Sequence, residues 1–126
     1  MILELRAADV LLLTTPIYNF SIPGALKAYI DLVCRPRLTF RYTEEGPVGL
    51  LDCRAYLVIT SAGTPIDSEV DFSTPYLRHI LGFMGIDEVV VIGCDGLQDR
   101  LSHRTWQGPA ARRMQVQQQI DRLVMP

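Results

Sequence analysis

Thr14-Thr15-Pro16-Ile17-Tyr18-Asn19-Phe20-Ser21-Ile22-Pro23-Gly24 decides the fold. A continuous apolar run, Val10-Leu11-Leu12-Leu13, leads into it, as a strand buried on both faces of a parallel sheet would. A helical periodicity leaves it: Ile22, Ala25, Leu26, Tyr29, Ile30 and Val33 form one wide stripe. The quoted stretch is therefore the turn at the carboxyl end of a parallel strand, where open α/β sheets bind ligands. Its proline, aromatic pair and asparagine combine flat apolar walls with backbone amides. A planar ring with hydrogen-bonding edges suits that mixture. Ser21 is placed to cap the following helix, with Pro23 in its first turn.

Arg35-Pro36 ends that helix. Leu38, Phe40 and Tyr42 alternate with Thr39 and Arg41, so residues 38–51 predict a hairpin-like arm turning at Glu44-Glu45-Gly46-Pro47. Ala55 to Ile59 is a second buried strand and ends in Thr60-Ser61-Ala62-Gly63-Thr64. Ser73-Thr74-Pro75 starts a helix with Leu77, Ile80, Leu81 and Met84 inward, and Gly85 stops it. Glu88 to Ile92 is a third strand. Leu97 to Gly108 reads as a polar loop, and Pro109 to Val124 as an amphipathic helix. Strands near 9–14, 54–60 and 88–93, separated by helices, predict an α/β fold with a parallel sheet. Leu3, Leu5 and Ala7-Ala8 read as the tail of a further helix.

Composition narrows the function. The 126 residues suffice for one domain and one core. A net charge of −2 gives no electrostatic reason to expect nucleic acid or an anionic membrane surface. No apolar run approaches the ~20 residues that span a bilayer, and the first residues lack the pattern of a signal peptide. The cysteines, Cys34, Cys53 and Cys94, match no metal spacing and suit a reducing cytoplasm as small buried hydrophobes. His79 and His103 have no partner at catalytic spacing, and Trp106 fits loop packing. Arg41 and Glu44 are solvated arm charges. No nucleophile–base pair is present at a recognisable spacing.

The first loop, Pro16 to Phe20, and the arm Thr39-Phe40-Arg41-Tyr42-Thr43-Glu44-Glu45-Gly46-Pro47 resemble the FMN-dependent NADH azoreductases of the flavodoxin-like NAD(P)H quinone reductase family. Asp31-Leu32-Val33, Thr74-Pro75-Tyr76-Leu77 and Leu81-Gly82-Phe83-Met84-Gly85-Ile86 continue the match in the same order. The matching part is the later part of a family member, strands three to five of the order 2-1-3-4-5. The resemblance thus implies a partial, N-terminally truncated flavodoxin-like domain over 1–126, lacking the first two strands and the phosphate-binding loop.

The resemblance also implies a cytoplasmic homodimer with FMN at the subunit interface. Hydride would pass from NADH or NADPH to the flavin, then to a quinone or azo compound, in ping-pong order. Ile17, Tyr18, Asn19 and Phe20 match the loop that holds the flavin ring, and Ser61, Ala62, Gly63 and Thr64 match the second flavin loop. The family often has an Arg and a second Gly where Ala62 and Thr64 stand. Tyr42 and Phe83 match aromatics bordering the substrate pocket, with Phe83 reaching the partner subunit's site; packing between subunits fits both residues equally well. Asn19 could instead be a turn residue satisfied by its own backbone, and Tyr18 and Phe20 core aromatics. No catalytic acid or base is expected, because hydride transfer is the cofactor's chemistry.

A second expectation stands beside the first. The chain could be a non-catalytic remnant or interaction fragment that cannot hold FMN alone. With no phosphate loop, ring contacts would carry all the affinity, and FMN binding would be weak. Val10–Leu13 would also leave one edge unpaired and apolar, a template for association.

Overall fold

The computed structural model describes residues 1–96, together with Met114, Gln117, Gln118, Asp121 and Arg122. The element order is α1 (Ile2–Ala7), β1 (Val10–Pro16), α2 (Gly24–Val33), β2 (Phe40–Thr43), β3 (Gly46–Gly49), β4 (Arg54–Thr60), α3 (Ser73–Phe83) and β5 (Val89–Cys94). The main sheet is parallel, in the order β1-β4-β5. Leu11 pairs with Ala55 and Leu13 with Leu57, and Ala55 and Leu57 pair in turn with Val89 and Val91. These positions share a face, because side chains alternate along a strand.

That face carries the core. Ala55, Leu57 and Ile59 are fully buried, and Leu5, Ile30, Val33, Leu77, Leu81, Met84 and Ile86 join them in one cluster. α1, α2 and α3 thus contribute to the same side of the sheet. The α2 stripe is narrower than the periodicity suggests. Ile30 and Val33 are buried, Ile22, Leu26 and Tyr29 half-buried, and Ala25 exposed.

The expectation that β1 is buried on both faces fails. Val10 is 53% exposed and Leu12 66%, and Thr14 is also exposed. A continuous apolar run reports that a strand can be covered on both sides; it cannot say that anything covers the second. β1 is also an edge strand, with β4 its only sheet neighbour among the described residues. Leu12→Lys should therefore reduce self-association without lowering stability, since charge on an exposed edge opposes strand pairing. Sedimentation at micromolar concentration checks this; equal association of both forms would count against the edge as the contact.

The α2 start also differs from expectation. Pro23 is the N-cap residue and no side chain caps the helix, so Ser21 is not the cap. Its backbone is committed elsewhere: the Ser21 and Tyr18 amides and carbonyls pair reciprocally at 3.0 and 2.8 Å. At the other end, Thr39 Oγ donates to Val33 O at 2.8 Å and accepts from Arg35 N at 2.9 Å, closing the last turn.

The arm is an antiparallel hairpin, with Phe40 opposite Gly49 and Tyr42 opposite Pro47, and Glu44-Glu45 at its tip. It is fastened to the end of α3. The Leu51 amide donates to Met84 O at 2.9 Å and the Leu50 amide to Thr39 O at 2.9 Å. α3 ends in a Schellman motif, in which Ile86 N donates to Leu81 O and Gly85 N to Gly82 O, with Gly85 at φ 103°. The expected loop 97–108, with His103 and Trp106, lies outside the described residues; of the expected helix 109–124, Met114, Gln117, Gln118, Asp121 and Arg122 are described and are helical. No described helix is long and apolar enough to cross a membrane.

Candidate functional site

Parallel strands deliver their following loops to one end of the sheet. The ladders run on into both candidate loops: Ile17 N donates to Thr60 O at 2.8 Å, and Ser61 N to Cys94 O at 3.0 Å. The structure thus brings Pro16–Phe20 beside Ser61–Thr64.

The first loop is a tight turn. Tyr18 and Ser21 form its base, and Asn19 and Phe20 its tip, at φ 48° and 68°. Asparagine tolerates this left-handed region. Phenylalanine does not, at a cost of about 1–2 kcal/mol. The strained Phe20 is held from a second side, because its carbonyl accepts the Phe72 amide at 3.0 Å. Tyr18 is 62% and Phe20 53% exposed, so neither is a core aromatic. The Asn19 side chain is exposed and has no hydrogen-bond partner among the described residues, so the turn does not consume it.

The second loop divides. Ser61 is buried, and its amide is spent on Cys94. Ala62 and Gly63 are exposed and Thr64 is half-buried. The amides of Asn19, Phe20, Ala62, Gly63 and Thr64 donate to no protein acceptor among the described residues. Open amides beside exposed aromatic side chains suit a flat ring with carbonyl and ring-nitrogen edges.

A buried carboxylate organises the segment behind these loops. Asp71 Oδ1 accepts the amides of Ser73 at 2.9 Å and Thr74 at 3.0 Å, and Oδ2 accepts Asp67 N at 2.9 Å and the Thr74 hydroxyl. Burial by itself would raise the Asp71 pKa. The hydrogen bonds from Thr74, Asp67 and Ser73 outweigh it and hold the group below its ordinary value. The carboxylate fills the N-terminus of α3, which is therefore not a phosphate site.

Tyr42 and Phe83 lie together but elsewhere. Phe40 links them, its ring 5.4 Å from Tyr42 and 4.6 Å from Phe83 between centroids. α3 runs back from the carboxyl end of β4 to the start of β5, so Phe83 sits at the amino end of the sheet. The helix separates it from the flavin-matching loops by roughly 15 Å, at about 1.5 Å per residue. Tyr42 is 71% exposed on the arm. One chain thus holds two aromatic clusters, at opposite ends.

A cavity at the amino end is unsuited to an electron-rich ring or anion. Asp9, Asp52, Asp87 and Glu88 line it, and its Arg54 is already paired to Glu88 at 2.6 Å. The cysteines are half-buried rather than buried, and burial pushes the Cys34 and Cys53 thiols up. His79 is exposed, as are Arg41 and Glu44. Asp71 and Phe72 were not among the residues the sequence singles out. The available signal was Asp71 three residues before Thr74, with Pro75 in the first turn.

Comparison with known proteins bears on the fold and the family. A family model described as flavodoxin-like fold matches residues 2–120. The FMN-dependent NADH:quinone oxidoreductase 1 of Hahella chejuensis is 53% identical over 96 residues, 75% of this chain and 47% of that protein. The FMN-dependent NADH:quinone oxidoreductase of Thiobacillus denitrificans is 53% identical over 96 residues, with 75% and 47% covered. The crystal structure of azoreductase from Bacillus anthracis superposes with a TM-score of 0.71 at 30% identity, covering 81% of this chain and 52% of that one. The chain spans about half the length of these relatives. It belongs to the flavodoxin-like fold family, and within it resembles the FMN-dependent NADH:quinone oxidoreductases and azoreductases.

Proposed function

We propose that the chain serves a flavin-dependent oxidoreductase that passes hydride from NADH or NADPH through FMN to quinones or azo compounds, in ping-pong order. The observation that carries this reading is the pairing of open amides with exposed aromatic side chains across the loops Pro16–Phe20 and Ser61–Thr64. FMN, when bound, supplies the redox chemistry. Tyr18 and Phe20 wall the ring. Asn19, with the amides of Phe20, Ala62, Gly63 and Thr64, holds its polar edge. Ile17 fixes the loop to β4. No residue here is assigned to the phosphate.

We place β1, β4 and β5 as strands three, four and five of the family's sheet. Tyr42 and Phe83 border the acceptor pocket of a homodimer, because one chain holds them an α3 length from its own ring loops. A second copy brings the arm of one subunit to the loops of the other.

The test is titration of the purified chain with FMN, followed by NADH oxidation in the presence of a soluble quinone. Asn19→Ala should weaken FMN binding about fivefold, the worth of roughly one neutral hydrogen bond. A chain that binds no flavin and oxidises no NADH would leave the remnant reading in its place.

A further inference from the structure

We propose that Phe72 is a third aromatic wall of the ring site and sets its preference for a flat conjugated ligand. This inference rests on the flavin reading above and adds a residue to it.

Phe72 stands between two residues that have no surface to give. Asp71 is 2% exposed and Ser73 fully buried, whereas Phe72 is 60% exposed. The capping carboxylate pins the backbone on both sides of it, through Asp67 N before it and Ser73 N after it. A phenyl ring is therefore presented to solvent from a rigid, well-bonded position. Its location is equally defined, because the Phe72 amide donates to Phe20 O at the tip of the first loop. That hydrogen bond places Phe72 beside the tip of the first loop, at the carboxyl end of the sheet.

None of these rings is used on another. The ring–ring contacts among the described residues lie between the arm and the end of α3, at Phe40, Tyr42 and Phe83. Tyr18, Phe20 and Phe72 each keep more than half of their surface open. Exposed aromatics on neighbouring segments mark a binding surface. The surface offers exposed ring faces beside the open amides of Asn19, Phe20, Ala62, Gly63 and Thr64. A planar heterocycle matches both at once, its face on the rings and its edge on the amides.

Because Phe72 is exposed, replacing it removes no core packing, and the variants should fold. The probe is lumiflavin, the isoalloxazine ring without ribityl phosphate, titrated into the purified chain by flavin fluorescence, with FMN in parallel. Phe72→Leu and Phe72→Ala should weaken lumiflavin binding about five- to tenfold. Phe72→Tyr should stay within about twofold of the unchanged chain, and thermal midpoints should agree within about a degree. FMN should show the same ratios, since the lost contact is to the ring. Phe72→Leu binding lumiflavin as well as the unchanged chain does would overturn this inference and leave the flavin reading intact. An unchanged chain that binds no lumiflavin would overturn both.

Discussion

Gly49→Ala should be the most damaging single substitution in the arm, costing about 3 kcal/mol or more and lowering the thermal midpoint accordingly. A Cβ at Gly49 would fall inside the backbone of Met84 and Gly85, among atoms that no rotamer change can move. Those atoms are fixed from three directions: Gly85 N bonds to Gly82 O, Ile86 N to Leu81 O, and Met84 O accepts Leu51 N. Relief requires the arm to lift off the end of α3, taking Tyr42 and the Phe40–Phe83 contact with it. Gly85→Ala should act similarly, since it combines φ 103° with a Cβ 2.5 Å from Leu51 O. Gly24→Ala is the control. It stands at the first residue of α2 with open space around it, and should be neutral or slightly stabilising. Urea titrations decide, and a Gly49→Ala midpoint equal to that of Gly24→Ala would refute the close-packing account.

What the sequence made legible follows from what kind of signal each feature leaves. Three apolar runs separated by helical stripes located β1, β4 and β5 within a residue or two and made them parallel, because each run is too short for a helix and each gap holds one. The loops at Pro16–Phe20 and Ser61–Thr64 followed, since strand ends fix where loops meet. The arm was legible from alternation and its Glu-Glu-Gly-Pro turn. Coverage was not. Leu12 and Leu13 are both leucine, yet Leu13 packs against the core and Leu12 is 66% exposed. The difference lies in which face the helices occupy, which no local pattern encodes. Gly49 and Gly85 are 36 positions apart in the numbering and became a pair only when α3 turned back onto the arm. Ser61 matched a cofactor loop by sequence, but the ladder to β5 takes its amide away.

Asp71→Asn should destabilise the chain by about 2–3 kcal/mol at neutral pH, in the range for a buried, hydrogen-bonded charge. The carboxylate accepts four hydrogen bonds, and an amide of the same shape has only one oxygen with which to do so. Its NH2 group would face either the Ser73 and Thr74 amides or the Asp67 amide and the Thr74 hydroxyl. The first orientation leaves two amides facing a donor; in the second the hydroxyl can turn to accept, and the Asp67 amide is left facing a donor. The pH dependence has a definite sign. Burial taken alone raises the Asp71 pKa, but the hydrogen bonds win and the folded value is depressed. A depressed carboxylate contributes its full stabilisation above the unfolded value, near 3.9. The contribution is lost as pH falls through the folded value below it. The stability gap between the unchanged chain and Asp71→Asn should therefore be constant from pH 7 to about 5 and shrink below about 4. Asp67, paired to Arg78 at 3.1 Å, is common to both proteins, so the difference largely cancels its effect. A gap that stays constant down to pH 3 would show that the carboxylate charge is not what holds the cap. The consequence reaches the ring site, because Asp71 fixes Phe72 and the Phe72 amide holds the strained Phe20. Asp71→Asn should accordingly weaken lumiflavin binding even at temperatures where the variant remains fully folded.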